Sequence, residues 1–129
     1  MPLVGEKRLR APRGFAQVAA PGLEITDHTD SQGHVTLKLS GELHTESVSV
    51  LEGAAERRFG EAQAVTLDLS ELLYIDSTGL AAIVLVSRLC ERDHRALEII
   101  PGPRSVQRLF EITGLADVLP FARAPQRLG

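Results

Sequence analysis

The sequence has few aromatic residues, one cysteine and no long hydrophobic run. Aromatic residues make up 4% of the 129 residues and tryptophan is absent, so stacking platforms for bases and aromatic cages for cationic ligands are poorly supplied. Cys90 is the only cysteine, which excludes an internal disulfide. Its position in an apolar stretch predicts a small buried side chain rather than a reactive thiol.

Membrane spans and strongly basic surfaces are also missing. The longest unbroken apolar run, residues 80–86, is far shorter than the roughly 20 residues that a transmembrane helix needs. Charged residues interrupt the apolar residues near the N-terminus, so no signal peptide is visible and we expect a cytoplasmic protein. The net charge of −3 disfavours direct nucleic-acid binding, because that class relies on a basic face.

The length predicts one folded domain with a distinct segment at each end. Residues 1–22 carry Lys7, Arg8, Arg10 and Arg13 against Glu6, a net charge of +3, and show no hydrophobic periodicity. We expect a flexible basic arm there, with a tether to an acidic partner or membrane surface as the functional alternative. Residues 23–121 are predicted to form the domain and residues 122–129 a tail.

Four stretches have the pattern of strands. Apolar and polar residues alternate at residues 23–26, 35–40 and 65–69, and residues 97–100 form a short, mostly apolar run. The polar pair at 70–71 predicts that the third strand passes into an exit loop. Because helical segments follow the second, third and fourth strands, the pattern favours parallel pairing and an α/β fold.

Three helices are predicted between and after these strands. The first begins at Thr45 as N-cap and ends at Gly60, and the second, residues 80–89, is apolar enough to be buried on most sides. The third runs from Pro103 to Gly114. The predicted inward residues are Val48, Leu51, Ala55 and Phe59 in the first helix and Val106, Leu109, Phe110 and Thr113 in the third.

The rest of the chain is organised around residues 76–79, which join the third strand to the second helix. Asp76, Ser77, Thr78 and Gly79 are all residues that favour helix N-termini or turns. The pattern predicts an exposed Ser77 beside backbone N–H groups that lack partners. A phosphate is tolerated at such a place, so the segment is predicted to be a helix cap and is also a candidate phosphorylation site.

The same segment lacks the patterns of nucleophilic enzymes. Ile75 stands where a G-x-S-x-G elbow needs its first glycine, Leu80 stands where S-x-x-K needs lysine, and Thr78 interrupts an aspartic-protease D-S-G. No phosphate-binding glycine loop with its lysine is present. The four histidines, His28, His34, His44 and His94, share no zinc spacing. We therefore predict neither an enzyme nor a metal or cofactor site.

Three motifs in order resemble those of the STAS domain family, and within it the bacterial anti-sigma factor antagonists. They are G-E-L at residues 41–43, V-x-L-D-L-S followed by I-D-S-T-G-L at residues 65–80, and E-x-T-G-L at residues 111–115. The resemblance spans residues 23–121. It implies a single small domain with a mixed, mostly parallel sheet and helices packed mainly on one side.

The resemblance also implies a function. In the antagonists the motif serine is phosphorylated by an anti-sigma factor that is a serine kinase; the unmodified antagonist binds this kinase and frees a sigma factor, and a phosphatase restores it. Carried over, Ser77 is the phosphoacceptor, Asp76 an orienting carboxylate, Thr78 a second hydroxyl, and Gly79 the residue that lets the partner approach. The protein itself would catalyse nothing.

One position departs from the family pattern. Aspartate often follows G-E-L in the family, whereas His44 stands here. His44 is either a solvated loop residue or a contact that brings a pH-sensitive charge near the phosphate; with Glu42 it is included in the predicted partner-binding surface. The alternative function is a constitutive STAS subunit of an ABC-type lipid transporter, or a scaffold of a stress-sensing assembly.

Overall fold

The computed structural model describes residues 15–20 and 22–123. Its strands are β1 (Phe15–Ala20), β2 (Leu23–Thr29), β3 (Val35–Leu43), β4 (Ala64–Ile75) and β5 (Ala96–Ile100), and its helices are α1 (Val48–Phe59), α2 (Ser77–Arg92) and α3 (Arg104–Ile112), followed by a 3₁₀ turn at Leu115–Asp117. In these described ranges no helix has the length and apolar character to cross a bilayer.

The strands form one mixed sheet in the order β1-β2-β3-β4-β5. The β1–β2 and β2–β3 pairs are antiparallel, whereas β3–β4 and β4–β5 are parallel. The prediction of a small mixed α/β sheet is confirmed. Because the connections between parallel strands run through helices, the loops that follow β3 and β4 meet at one end of the sheet.

Strand β1 corrects the predicted boundary of the basic arm. Residues 15–20 were assigned to the arm, but they pair along their whole length with β2. Half of this strand is alanine, a residue with weak strand preference, so the signal in its own sequence is small and the free edge of β2 supplies the pairing. Residues 1–14 of the predicted arm and 124–129 of the tail lie outside the described residues.

The helices cover one face of the sheet. Helix α1 packs over β2 and β3, α2 over β4 and β5, and α3 against β4, which confirms the predicted one-sided arrangement. The core between the layers includes Leu37, Leu67 and Ile99 from neighbouring strands, all fully buried. The opposite face of the sheet is polar and partly open, with Thr26, Lys38, Ser40 and Asp68 along its centre.

Strand β4 is longer than predicted because it contains bulges. Its buried residues are two positions apart up to Leu69, then three apart at Leu72 and Ile75. The register against β3 shifts at two places in this stretch, and each extra residue turns the next apolar side chain back toward the core. The polar pair at 70–71 is therefore part of the strand and not an exit loop.

Three predictions about the helices were wrong. Helix α2 continues to Arg92 and is amphipathic, with Leu85 and Leu89 exposed, because only the side that faces the sheet is covered. Thr113 is exposed, and its hydroxyl donates a hydrogen bond of 2.8 Å to the carbonyl of Leu109 at the end of α3. Thr45 is not the N-cap of α1, since that position belongs to Ser47.

Candidate functional site

The predicted site residues lie at the end of the sheet where β3 and β4 finish. The backbone N–H of Asp76 donates to the carbonyl of Leu43, at 3.3 Å. The hydroxyl oxygens of Thr45 and Thr78 are 3.1 Å apart. Two loops that are more than thirty residues apart in the sequence thus form one surface, as parallel pairing of β3 with β4 requires.

Asp76 is the N-cap of α2. Its backbone is extended (φ −112°, ψ −173°), and one carboxylate oxygen, Oδ1, accepts a hydrogen bond of 2.9 Å from the N–H of Gly79. This contact satisfies one of the free N–H groups of the first turn. The predicted cap is confirmed, and it is the carboxylate of Asp76, rather than a hydroxyl, that performs it.

Ser77 is the first residue of α2 and is exposed. Within residues 15–20 and 22–123 its hydroxyl has no hydrogen-bond partner, because Asp76 already caps the helix. The helix behind it extends for 16 residues, so the positive end of its dipole lies at this serine. The hydroxyl is accessible and its surroundings favour an added negative charge.

Thr78 and Gly79 contribute to the packing beneath the serine. Thr78 is half-buried, and its hydroxyl is occupied by Thr45. Gly79 is buried, and a Cβ built on it would lie 2.5 Å from the carbonyl oxygen of Leu43 and 2.7 Å from Cγ1 of Ile75. The prediction that Gly79 leaves room for a partner is therefore corrected: this chain's own strand β3 uses that room.

Glu42 and His44 lie beside each other at the end of β3. Nε2 of His44 is 3.5 Å from Oε1 of Glu42, and Nδ1 accepts a hydrogen bond of 3.2 Å from the N–H of Glu46. The ring is mostly buried, with 22% of its side chain exposed. His44 is thus a fixed loop residue held on both ring nitrogens, and the freely solvated alternative is not what the structure contains.

A tight backbone contact holds this loop against β2. The N–H of Glu42 donates to the carbonyl of Gly22 at 2.6 Å. Gly41 has φ 105°, and a Cβ there would overlap the same carbonyl oxygen. Only glycine fits such a conformation at such a close approach, so the first glycine of G-E-L sets the position of Glu42.

Sequence reasoning missed two exposed apolar residues beside the site. Leu73 is 71% exposed and Tyr74 is 51% exposed, both in the last turn of chain before Asp76. Tyr74 pairs in register with Glu42 of β3. Strict alternation along β4 would have buried one of them, and the bulges are what turn both outward. An exposed leucine and tyrosine next to Ser77 add apolar contact area to this surface.

The third motif lies at the end of α3. Gly114 follows that helix with φ 82°, the left-handed conformation of a helix end, and no contact recorded for residues 111–115 joins them to Ser77. Its role is to end α3 and begin the 3₁₀ turn. Among the residues that the structure describes, no group of three His, Cys, Asp or Glu side chains is placed to hold a metal ion.

Comparison with known proteins gives the family. The family model described as "Mlab, STAS domain" matches residues 27–120. An anti-sigma-B factor antagonist of Listeria monocytogenes is 30% identical over 87 residues, which are 67% of this chain and 76% of that protein. The anti-sigma-B factor antagonist of Staphylococcus aureus is 32% identical over 84 residues, 64% of this chain and 78% of that protein.

Solved structures show the same fold. The anti-sigma factor antagonist SpoIIAA in its unphosphorylated form superposes with a TM-score of 0.63 at 16% identity, over 81% of this chain and 92% of that one. The phosphorylated form of the Bacillus cell fate determinant SpoIIAA gives a TM-score of 0.55 at 17% identity, over 81% and 96% of the two chains. Together with the matched model and the identity to curated relatives, this likeness establishes that the chain belongs to the STAS domain family.

Proposed function

We propose that the protein is an anti-sigma factor antagonist that is switched by phosphorylation of Ser77. One observation carries the proposal: Ser77 is exposed at the first position of α2, and its hydroxyl has no hydrogen-bond partner among the described residues because Asp76 caps the helix in its place. The antagonist names of the relatives support the role.

The switch acts on binding rather than on the fold. A phosphate on Ser77 adds roughly −1.5 to −2 charges at the positive end of α2, where the domain tolerates them. The same charge buried in a protein interface without a partner costs several kcal/mol, and about 1.4 kcal/mol changes an affinity tenfold. The unmodified form therefore binds an anti-sigma factor, and the modified form releases it.

The proposed partners follow from this chemistry. The kinase is the anti-sigma factor itself, which transfers the phosphoryl group from ATP to the hydroxyl of Ser77, and a serine phosphatase reverses the step. The antagonist supplies only the acceptor and the binding surface, so it is no enzyme, and it works in the cytoplasm where ATP and sigma factors are present. Leu73 and Tyr74 provide the apolar contacts beside the serine.

The first experiment measures the intact mass of the protein isolated from its native cells, with fragmentation to locate any phosphate. Phosphate on Ser77 in a fraction of the molecules is the expected result. Its absence during both growth and stress would overturn the switch. That result would favour the constitutive subunit of a transporter or scaffold.

The second experiment captures binding proteins from the same cells with three variants as bait. Ser77→Ala retains the anti-sigma factor and cannot be switched, whereas Ser77→Asp loses it. Ser105→Asp is the matched control, because Ser105 is an exposed serine in the first turn of α3, and it retains the partner. Equal capture by all three variants would contradict the proposal.

A further inference from the structure

A groove of about 390 Å³ separates α1 from α2, on the side of the domain that faces away from the sheet. Leu85 and Leu89, one turn apart on α2, line it and are 41% and 36% exposed. Phe59, Val86 and Cys90 are buried beneath them. The groove thus has an apolar floor that the described residues leave open to solvent.

The two walls of the groove differ in charge. On the α1 side, Glu52 and Glu56 are one turn apart, and neither forms an ion pair with any residue in the described ranges. Like charges at this spacing repel each other.

On the opposite wall the charges compensate one another. Arg92 donates to Asp93 at 3.0 Å, and Arg95 lies 3.6 Å from the same carboxylate. Arg95 is further occupied by the carbonyls of Phe59, Gly60 and Ala62. The charges left without a partner at the groove are therefore the two acidic ones of α1.

The topology brings the N-terminal segment to the same end of the molecule. Strand β1 begins at Phe15, which pairs with His28 near the end of β2. Because β2 is antiparallel to β3, this end is opposite the Ser77 surface. Helix α1 runs back toward it and finishes at Phe59, where the groove opens. Residues 1–14, which precede β1, join the fold at this end.

We propose that residues 1–14 of this chain occupy the groove between α1 and α2. Leu3 and Val4 supply apolar side chains for the floor, and Lys7, Arg8 and Arg10 supply positive charges for Glu52 and Glu56. Fourteen extended residues reach roughly 46 Å, far more than the roughly 10 Å diameter of α1 that the segment must pass. Attachment to β1 gives the segment an effective concentration on the order of millimolar at the groove.

The proposal is independent of phosphorylation at Ser77. It assigns to the basic segment a partner within its own chain, in place of an external acidic surface. It also gives the exposed side of α2 a cover that links this helix to α1, so that the helix beginning at Ser77 is held on both sides.

Paramagnetic NMR on the full chain tests this docking. A nitroxide is attached at Gly5→Cys in a Cys90→Ala background, which leaves a single thiol. We expect the methyl signals of Leu85 and Leu89 to disappear, while the amide signals of Lys38 and Glu98 on the other face of the sheet keep their intensity. Well-dispersed signals from the rest of the domain confirm that the labelled chain is folded.

Charge reversal supplies the matched control. Glu52→Lys with Glu56→Lys restores the signals of Leu85 and Leu89, whereas Glu98→Lys with Glu111→Lys, an equal change of charge on exposed residues outside the groove, leaves them lost. Retained leucine signals in the parent chain would overturn the proposal. It would equally be overturned if the signals vanish only when labelled and isotope-enriched molecules are mixed, because a second copy would then be the occupant.

Discussion

Two serines stand at the starts of two helices in this domain, and the structure uses them in opposite ways. Ser47 is the N-cap of α1 and is fully buried; its hydroxyl donates to the carbonyl of Glu42 at 3.0 Å and accepts from the N–H of His44 at 3.0 Å. Ser77 begins α2, is exposed, and has no partner for its hydroxyl in the described part of the chain. A helix N-terminus becomes a modification site only when another residue caps it.

The difference arises from the residue before each helix. At α2, Asp76 provides a carboxylate that reaches the N–H of Gly79, so the serine is left outside the cap. At α1, no side chain makes a capping bond to the first turn, and Ser47 instead closes the loop that carries His44. One junction is thus built to be accessible and the other to hold its loop.

A negative charge at each serine gives the largest expected contrast. Ser47→Asp places a carboxylate where no counter-charge is in contact, and we expect it to lower the free energy of unfolding by about 3–5 kcal/mol. Ser77→Asp stays in water at the positive end of α2 and changes stability by less than about 0.5 kcal/mol. Urea unfolding followed by circular dichroism measures both.

Ser47→Ala is the control for this pair. It removes the hydroxyl without adding charge and leaves one acceptor and one donor unsatisfied, for a cost of about 1–3 kcal/mol. Equal destabilisation by Ser47→Asp and Ser77→Asp would show that the two junctions do not differ as described. The phosphorylation proposed at Ser77 would then disrupt the fold.

A methyl group at Gly79 tests how closely α2 is packed beneath the serine. The added Cβ of Gly79→Ala meets the carbonyl of Leu43, which is backbone and cannot rotate away, so we expect a loss of about 1–3 kcal/mol in unfolding free energy. Gly53→Ala in α1 is the matched control. Its Cβ meets only the guanidinium end of Arg57, and helix propensity predicts a gain of about 0.5–1 kcal/mol. Similar values for both variants would contradict the close packing.

Removing the cap tests why Ser77 is free. Asp76→Ala loses the hydrogen bond to the N–H of Gly79, and we expect the free energy of unfolding to fall by about 1 kcal/mol. Asp76→Asn keeps an acceptor oxygen and should cost much less. Thermal unfolding compares the two. If Asp76→Ala is as stable as the parent, the hydroxyl of Ser77 has taken over the cap and is not held in reserve.

Much of this site was predictable from the sequence because it depends on local chemistry. Four residues that favour caps and turns, placed between a strand and an apolar segment, are sufficient to predict an exposed Ser77 at the start of a helix. The alternation of residues 35–40 and 65–69 is likewise sufficient for two strands of the sheet. Both predictions rest on contacts within a few residues.

The remaining features depend on contacts between distant segments. The bulges of β4, which expose Leu73 and Tyr74, appear only when β4 is aligned with β3. Gly79 looks permissive in the sequence, and only the carbonyl of Leu43 shows that its space is filled. The exposed side of α2 could not be recognised from an apolar sequence, because burial depends on what packs against each side.

The smallest expected effect concerns a second carboxylate that caps backbone N–H groups, at the opposite end of the sheet. Oδ1 of Asp30 accepts from the N–H groups of His34 and Gln32, at 2.9 and 2.8 Å. These bonds, that from His34 first, hold the pKa of the Asp30 carboxyl below its usual range. A lowered pKa stabilises the fold above the carboxyl's ordinary pKa, and that stabilisation is lost as the pH falls through the lowered value.

Asp30→Ala should therefore be slightly less stable than the parent at neutral pH, and the gap should narrow as the pH falls below the ordinary pKa of aspartate. Urea midpoints measured from pH 7 down to pH 3 follow this gap. Asp30→Asn, which retains an acceptor oxygen but does not titrate there, is the control. Because Asp30 is exposed, solvent screens its charge, and the effect should be smaller than that of Asp76→Ala. A larger effect would mean that the β2–β3 turn, rather than the Ser77 junction, depends more on its carboxylate.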